Sequence, residues 1–187
     1  MNSSEARRTP ETGGYFLRSV RLGFRAWTPA DLEQARALWG DDRVTRFIGG
    51  PFSDEKIRER LAAEIANGGT LGIQYWPIFR LDDGAFVGCC GFRPHPATGG
   101  FELGFHLLPE HWGRGYAAEA ARSAIDYAFA SLGAETIHAG HHPENTRSGA
   151  LLERLGLRRI GEELYPPTGR FHPTYRFDRE NYDKRVP

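Results

Sequence analysis

The sequence has little of what marks several specialised classes of protein. Its two cysteines, Cys89 and Cys90, are adjacent, and neighbours in a strand point to opposite faces, so no disulfide framework is expected. No apolar run approaches the roughly 20 residues of a membrane-spanning helix, and no secretory leader is recognisable. Basic and acidic residues balance at 24 each, which disfavours a nucleic-acid or membrane-surface partner. Together these absences predict a cytoplasmic protein.

What the chain does have is the composition of an ordinary globular domain. Its 187 residues are 40% hydrophobic and 26% charged, enough for one domain with a sizeable core. The opening stretch MNSSEARRTPETGG is polar and has no hydrophobic period, so residues 1–18 are predicted to be a disordered tail. The single domain is then expected to span residues 19–187.

The first half of the chain predicts two helices and an antiparallel meander. After a strand at SVRLGFRAW, Thr28 and Pro29 open a helix that ends at Gly40, and Ser53 caps a second helix at DEKIRERLAAEIANGG. The stretches TLGIQYWPIFRL and AFVGCCGFRP, joined by the turn DDG, form a hairpin, and FELGFHLL follows as a third strand. These strands are expected to lie antiparallel in one sheet.

The second half alternates helices and strands. A helix over residues 117–132 places apolar side chains on one stripe and ends at Gly133, and the strand ETIHAGHH comes next. The helix NTRSGALLERLG and the strands LRRIGEELY and RFHPTYRFDRENY follow. A strand, a helix and a strand in succession imply a parallel crossover. The predicted fold class is therefore α/β (α+β), with a single mixed central sheet that combines an antiparallel meander and a parallel βαβ crossover.

Two glycines, Gly113 and Gly115, stand just before the long helix of the second half and indicate an anion site. The first N–H groups of a helix have no partner within it and carry the positive end of its dipole, so a phosphate fits there; a plain loop is the alternative. With Ala118 the pattern also satisfies the dinucleotide fingerprint G-x-G-x-x-A. That fingerprint requires a preceding parallel strand and an acidic residue after the next strand. Here antiparallel strands precede it and histidines follow, so NAD binding is disfavoured.

The stretches LLPEHWGRGYAAEA and HPENTRSGALLERLGLRRIGE resemble the GNAT superfamily of acetyl-CoA-dependent N-acetyltransferases. More narrowly, they resemble the RimJ/RimL-like branch, which modifies N-terminal amines of ribosomal proteins. The resemblance covers roughly residues 19–180 and implies the GNAT fold, acetyl-CoA as cosubstrate, and a protein N-terminal α-amine or a small-molecule amine as acceptor. The family's six-residue motif, with Trp in the place of Gln or Arg, falls on Trp112, Gly113, Arg114, Gly115, Tyr116 and Ala117.

The resemblance also implies how the coenzyme binds. The N–H groups of residues 113–117 cradle its pyrophosphate, and Arg114 either contacts a phosphate or is simply solvated. In the family the strand before the loop splays from its parallel neighbour, which points to the free backbone groups of Leu107 and Leu108 as partners of the pantetheine arm. Asn145 is implied to hydrogen-bond that arm and Ser148 to lie near it, although both residue types also suit a helix N-terminus.

The implied chemistry is direct attack of a neutral amine on the thioester. A backbone N–H near Leu107 is expected to stabilise the oxyanion, and Glu102 is the candidate base, directly or through a water. The alternative for Glu102 is a strand glutamate facing solvent. Many family members carry a tyrosine as general acid seven residues after the asparagine, and this position is Leu152 here. The thiolate must then take its proton from Ser148, a water or another group, or leave unaided.

Other residues leave alternatives open. His138, His141 and His142 lie close in sequence, but no cysteine or carboxylate set accompanies them and a continuing strand would separate His138 from His141, so no metal is expected. His95 is expected to border the acceptor site. Four aromatic residues either line the acceptor side or belong to the core: Trp39, Phe52, Tyr75 and Trp76. The missing tyrosine keeps a catalytically weak acyl-CoA-binding module as an alternative, and the protein is expected to be a monomer or homodimer.

Overall fold

The computed structural model describes residues 14–95, 97–98 and 100–184. Its strands are β1 (Leu17–Arg18), β2 (Leu22–Phe24), β3 (Tyr75–Arg80), β4 (Phe86–Pro94), β5 (Phe101–Leu107), β6 (Thr136–Gly140), β7 (Arg158–Tyr165) and β8 (Arg170–Asp178). Its helices are α1 (Leu32–Trp39), α2 (Asp42–Thr45), α3 (Asp54–Leu71), α4 (Tyr116–Ser131), α5 (Thr146–Arg154) and α6 (Arg179–Asp183). Short 3-10 helices precede α1 at Pro29–Asp31 and follow β5 at Pro109–His111.

The strands form one eight-stranded sheet in the order β1-β2-β3-β4-β5-β6-β8-β7. Strands β1 to β5 make an antiparallel meander, and β5 and β6 are parallel because α4 carries the chain from one to the other. The last strand, β8, inserts between β6 and β7 and is antiparallel to both. The predicted fold class, with its meander and parallel crossover, is confirmed.

Most predicted element ends are confirmed by local geometry. The Ser53 hydroxyl accepts the N–H of Lys56 and so caps α3, and Gly133, with φ of 69°, follows α4. Several details differ from expectation, among them the short helix α2, which was not expected, and β3, which begins only at Tyr75. Strand β1 lies within the predicted tail, so the disorder prediction is wrong for residues 17–18, while residues 1–13 lie outside the described range. Helix α3 continues to Leu71, and α6 follows β8 where only a strand was expected.

Two hydrophobic cores lie on opposite faces of the sheet. One is packed between the sheet and α4 and contains Trp76 and Phe92; the other lies against α1 and α3 and contains Tyr75 and Trp39. Successive side chains of a strand point to opposite faces, which is why Tyr75 and Trp76 belong to different cores. In the part of the chain that the structure describes, no helix is both long and apolar enough to cross a bilayer.

Strands β5 and β6 separate soon after they meet. Their parallel pairing comprises only Phe101 with Ile137 and Glu102 with His138. The rest of β5 stays paired with β4 as far as Leu107, and among the described residues no strand pairs with its other edge beyond Glu102. This separation opens the sheet beside the N-termini of α4 and α5.

Candidate active site

A cavity of about 780 Å³ lies where β5 and β6 separate. One part of it is bounded by the glycine loop before α4 and by the first turn of α5. The other part extends over the face of β5 that carries Glu102 toward α3. The cavity therefore connects a site beside two helix N-termini with a second site on the face of the sheet that carries α3.

The glycine loop presents the unpaired start of α4. Gly113 has φ of 73° and Gly115 φ of 79°, a left-handed conformation that favours glycine. A Cβ on Gly113 would meet nothing within 4 Å, so the surface above this residue is open. Gly115 is the N-cap of α4 and has no side chain to cap the first N–H groups of the helix. This open, uncapped helix start suits a diphosphate.

Arg114 and Arg21 act on the loop in different ways. The Arg114 side chain is exposed and not among the cavity's lining residues, whereas its carbonyl oxygen accepts a hydrogen bond of 3.1 Å from Arg21 Nη1. Arg21 also pairs with Glu119 in the first turn of α4 and lies 4.5 Å from the centroid of the buried Tyr116 ring. Arg21, which was not singled out from the sequence, thus fastens the loop to the strand region before β2.

The backbone N–H and C=O groups at the end of β5 point alternately toward β4 and into the gap between β5 and β6. Leu108 N–H donates to the Val87 carbonyl at 3.0 Å, so this N–H is occupied and Leu108 does not line the cavity. Because hydrogen-bonding directions alternate along an antiparallel strand, the Leu107 groups point the other way, into the gap. Trp112 Nε1 donates to the Leu107 carbonyl at 2.8 Å. Of the two leucines predicted to contact the coenzyme, Leu107 alone presents a backbone N–H to the cavity.

The first turn of α5 forms the opposite wall of this part of the cavity. Asn145 is the N-cap, and its Oδ1 accepts the Ser148 N–H at 3.3 Å, which confirms the capping expectation. Ser148 is half-buried and lines the cavity together with Asn145. Leu152, at the position of the family tyrosine, is 1% exposed and lines the same cavity, so its apolar side chain offers no proton there.

Glu102 projects from β5 into the second part of the cavity. Its neighbour Leu103 is buried in the core against α4, so Glu102 faces the other side of the sheet, which carries α3. It lies opposite Arg93 on β4 and beside His138 on β6, and it is half-buried rather than fully exposed to solvent. A partly desolvated carboxylate in a cavity has the environment of a general base.

The surroundings of Glu102 raise its pKa. Burial has the largest effect and raises the pKa above the ordinary 4.5; the charge of Glu163 on β7 acts in the same direction. His95 and Arg93 act to lower it but do not outweigh burial. Glu102 is therefore a stronger base than a solvated glutamate would be.

The histidines near Glu102 form a pair. The rings of His95 and His138 stack with centroids 4.1 Å apart, and the Thr98 hydroxyl lies 3.1 Å from His95 Nδ1 and 3.4 Å from His138 Nε2. The strand that would have separated His138 from His141 ends at Gly140, and both residues line the cavity. Among the described residues no set of three or more His, Cys, Asp or Glu side chains is placed to hold a metal ion.

The aromatic residues weighed for the acceptor side divide between the two faces. Tyr75 lines the cavity and lies across Gly104, where any Cβ would collide with its ring. Trp76 points to the opposite face and packs in the core against α4, so it does not reach the acceptor side. Trp39 is fully buried beneath the cavity, and its Nε1 donates to His106 Nδ1 at 3.4 Å.

A buried ion pair, not anticipated from the sequence, holds α3 against this face. Glu64 is fully buried; one carboxylate oxygen accepts from Arg93 and the other from Tyr75 N–H at 2.8 Å. The Arg93 guanidinium also lies 4.4 Å from the centroid of the Tyr75 ring. The sequence contains a signal for this pair: Glu64 continues the apolar stripe of Ile57 and Leu61 at helical spacing, a position that a carboxylate occupies only when it has a partner.

Comparison with known proteins agrees with this geometry. Residues 21–158 match the family described as Acetyltransferase (GNAT) domain. The chain is 32% identical over 167 residues to the uncharacterized N-acetyltransferase p20 of Bacillus licheniformis, which covers 86% of this chain and 93% of that protein. A crystal structure of the acetyltransferase from Agrobacterium tumefaciens str. C58 is 28% identical, with a TM-score of 0.77 over 93% of this chain and 100% of the other.

A more distant solved structure shares the fold. It is RimL, a ribosomal L7/L12 alpha-N-protein acetyltransferase in complex with coenzyme A, which is 15% identical with a TM-score of 0.74, covering 87% of this chain and 97% of its own. The family match, the relative p20 and the splayed sheet with its glycine loop agree with one another. The chain belongs to the acetyltransferase (GNAT) family and is an N-acetyltransferase.

Proposed function

We propose that this chain transfers the acetyl group of acetyl-CoA to a primary amine, either a protein N-terminal α-amine or a small-molecule amine, by direct attack on the thioester. The observation that carries the proposal is the separation of β5 from β6 beside the uncapped start of α4. An open strand edge lies next to a helix start without a side-chain cap, and these two features suit the amide-bearing arm and the diphosphate of the coenzyme.

The coenzyme's binding residues follow from this arrangement. The N–H groups of residues 113–117 hold the diphosphate, with Arg21 keeping the loop in place through the Arg114 carbonyl. Leu107 N–H and the Asn145 amide bind the pantetheine arm. The N–H near Leu107 also stabilises the oxyanion that develops on the acetyl carbonyl, since a preorganised donor costs no rearrangement during the reaction.

Glu102 accepts the amine proton, directly or through a water, and its raised pKa favours this step. An α-amine with a pKa near 8 loses its proton at pH 7 for about 1 kcal/mol, whereas a lysine amine near 10.4 costs about 4–5 kcal/mol. A carboxylate base is thus better matched to an α-amine than to a lysine amine. With Leu152 at the family tyrosine position, Ser148 or a water protonates the leaving thiolate.

The coenzyme and the chemistry are tested separately. Acetyl-CoA at 100 times its dissociation constant is expected to stabilise the protein by about 2.7 kcal/mol in a thermal unfolding experiment, and NAD to have no effect. Release of free thiol with a panel of amines then distinguishes an enzyme from a catalytically weak acyl-CoA-binding module. Binding without turnover on any amine would favour the binding module, for which the apolar Leu152 is the specific observation. A cytoplasmic location and a monomeric or homodimeric state stay predictions.

A further inference from the structure

Arg60 lies at the acceptor end of the cavity. It projects from α3 and lines the same cavity as Glu102. Its guanidinium carbon lies 4.9 Å from the centroid of the Trp39 ring and 5.7 Å from that of Phe52, so two aromatic faces hold it in position. The two rings therefore restrict the position of the Arg60 guanidinium.

Within the described residues this guanidinium has no anionic partner. Its Nε is buried and makes no hydrogen bond to them. The acidic residue one helical turn away, Glu64, is already engaged by Arg93 and by Tyr75 N–H. Burial lowers the pKa of Arg60 and the positive charge of Arg93 lowers it further, while the negative charge of Glu64 only partly offsets the two. Arg60 as a whole is half-buried, with its Nε enclosed, and a partly desolvated cation without a hydrogen-bonded counter-ion is costly, which distinguishes Arg60 from an ordinary surface arginine.

The other arginines that line this end of the cavity are placed differently. Arg93 is paired with Glu64, and Arg43 is paired with Asp41 at 2.6 Å. Arg46 is exposed to solvent and lies over the Phe47 ring at 4.4 Å from its centroid. Arg60 alone in this group is half-buried and has no carboxylate hydrogen-bonded to it among the described residues.

Arg60 and Glu102 both act on Tyr75, which lies on the cavity floor. Burial and then the charge of Glu102 raise the Tyr75 pKa, while Arg93 and Arg60 act to lower it. The Glu102 carboxylate and the Arg60 guanidinium thus both lie close enough to Tyr75 to act on it electrostatically. The site carries charges of both signs, an arrangement that complements a molecule with an amine and an anion of its own.

We propose that the acceptor amine carries a carboxylate, which pairs with Arg60 while the amine faces Glu102. The planar guanidinium offers parallel N–H donors that match a carboxylate, and its low hydration suits a buried pair. The carboxylate has two sources with the same chemistry: the α-carboxylate of a free amino acid, or an acidic side chain near the N-terminus of a peptide. This inference rests on the proposed acetyl transfer and narrows its acceptor class.

The test compares acceptors that differ only in the carboxylate. Free amino acids are paired with their carboxamides, and peptides with Asp at the second position are paired with the Asn versions; spermidine serves as an amine without any carboxylate. For at least one of the two kinds of pair, kcat/KM of the wild-type protein is expected to favour the carboxylate member by about tenfold or more. The kind of pair that shows the preference identifies the source of the carboxylate.

Variants then assign the preference to Arg60. Arg60→Gln is expected to remove the preference, Arg60→Lys to retain part of it, and the control Arg46→Gln to leave it unchanged. Melting temperature and acetyl-CoA affinity show whether each variant is folded and binds the coenzyme. If Arg60→Gln does not fold, Arg60→Lys and the wild-type comparison still decide the result.

Equal kcat/KM within every pair, a preference that survives Arg60→Gln, or acetylation of spermidine alone would overturn the inference and leave acetyl transfer intact. An absence of thiol release with every amine would overturn the proposed function itself. The two failures are therefore distinguishable.

Discussion

Arg21 and Glu119 are separated by 98 residues and joined by an ion pair of 2.7 Å. Glu119 also accepts the Arg21 backbone N–H and the Ser19 hydroxyl, and these hydrogen bonds outweigh burial and lower its pKa. From this anchor Arg21 reaches the Arg114 carbonyl. Ser19 and Arg21 thus hold the first turn of α4 to the beginning of the sheet, and the Arg21 guanidinium also holds the glycine loop.

Arg21→Gln is expected to weaken acetyl-CoA binding about fivefold, because the loop loses a hydrogen bond to a charged donor worth about 1 kcal/mol. Arg21 is 46% exposed, so the free energy of unfolding should fall by less than about 1 kcal/mol. Calorimetric titration and thermal unfolding measure the two effects. Arg18→Gln, on the neighbouring β1, is the control and should change neither. An unchanged affinity in Arg21→Gln would show that the loop needs no anchor.

Gly113→Ala tests the glycine loop, and Gly84→Ala is its matched control. Both glycines have left-handed φ, 73° and 71°, and both have open space where a Cβ would lie. Each substitution should cost about 1 kcal/mol of stability, since alanine is strained in this conformation. Only Gly113→Ala is expected to lower acetyl-CoA affinity. The loss should be about tenfold or more, because the diphosphate loses a contact with the N-terminus of α4. Equal affinities in the two variants would remove the loop from the binding site.

Asn145 caps α5 and is proposed to bind the pantetheine arm, and two substitutions separate these roles. Asp caps a helix as well as Asn does, so Asn145→Asp should keep the melting temperature, whereas Asn145→Ala should lose about 1 kcal/mol. Both variants lack the amide that is proposed to bind the pantetheine arm, and both should bind acetyl-CoA more weakly. Thermal unfolding and titration measure the two properties on the same samples. Full coenzyme affinity in Asn145→Asp would restrict Asn145 to capping.

The pH dependence of kcat/KM tests Glu102. A base works when deprotonated, so activity should fall as the pH drops through its pKa, which burial places above the ordinary 4.5. Glu102→Gln should lower kcat and remove this acid limb while leaving acetyl-CoA affinity unchanged. Glu163→Gln removes a charge that raises the Glu102 pKa, so the limb should move to lower pH. An identical profile in Glu102→Gln would exclude it as the base.

The same pKa shift has a consequence for stability. A carboxyl whose pKa is raised on folding favours the folded state at low pH and loses that contribution as the pH rises through the folded-state value. Above the folded-state pKa the ionised, partly buried Glu102 therefore opposes folding. Glu102→Gln should accordingly be at least as stable as the wild-type protein at pH 7, and denaturant unfolding measures the difference. A loss of stability would indicate a structural role for this carboxylate.

Much of the site is encoded locally. A few consecutive residues impose the backbone conformations of the glycine loop and of the cap at Asn145, so the sequence pattern predicts both; it places the start of α4 at residue 117, one residue after the observed Tyr116. The order of strand, helix and strand likewise predicts the parallel crossover. By itself, then, the sequence determined the fold class and the side of the cavity that suits a coenzyme.

The acceptor side was decided by tertiary structure. Whether Glu64 binds Arg93 or Arg60 depends on how α3 lies on the sheet, and no spacing along the chain contains that choice. Because β5 and β6 pair only through Phe101 with Ile137 and Glu102 with His138, the Leu107 N–H is left facing the gap. Because β6 ends at Gly140, His141 lines the cavity. These features depend on contacts between residues that are far apart in sequence. Two side chains can pair with the same counter-ion, and two strands with the same strand edge. Which of them does so depends on their positions in the folded chain.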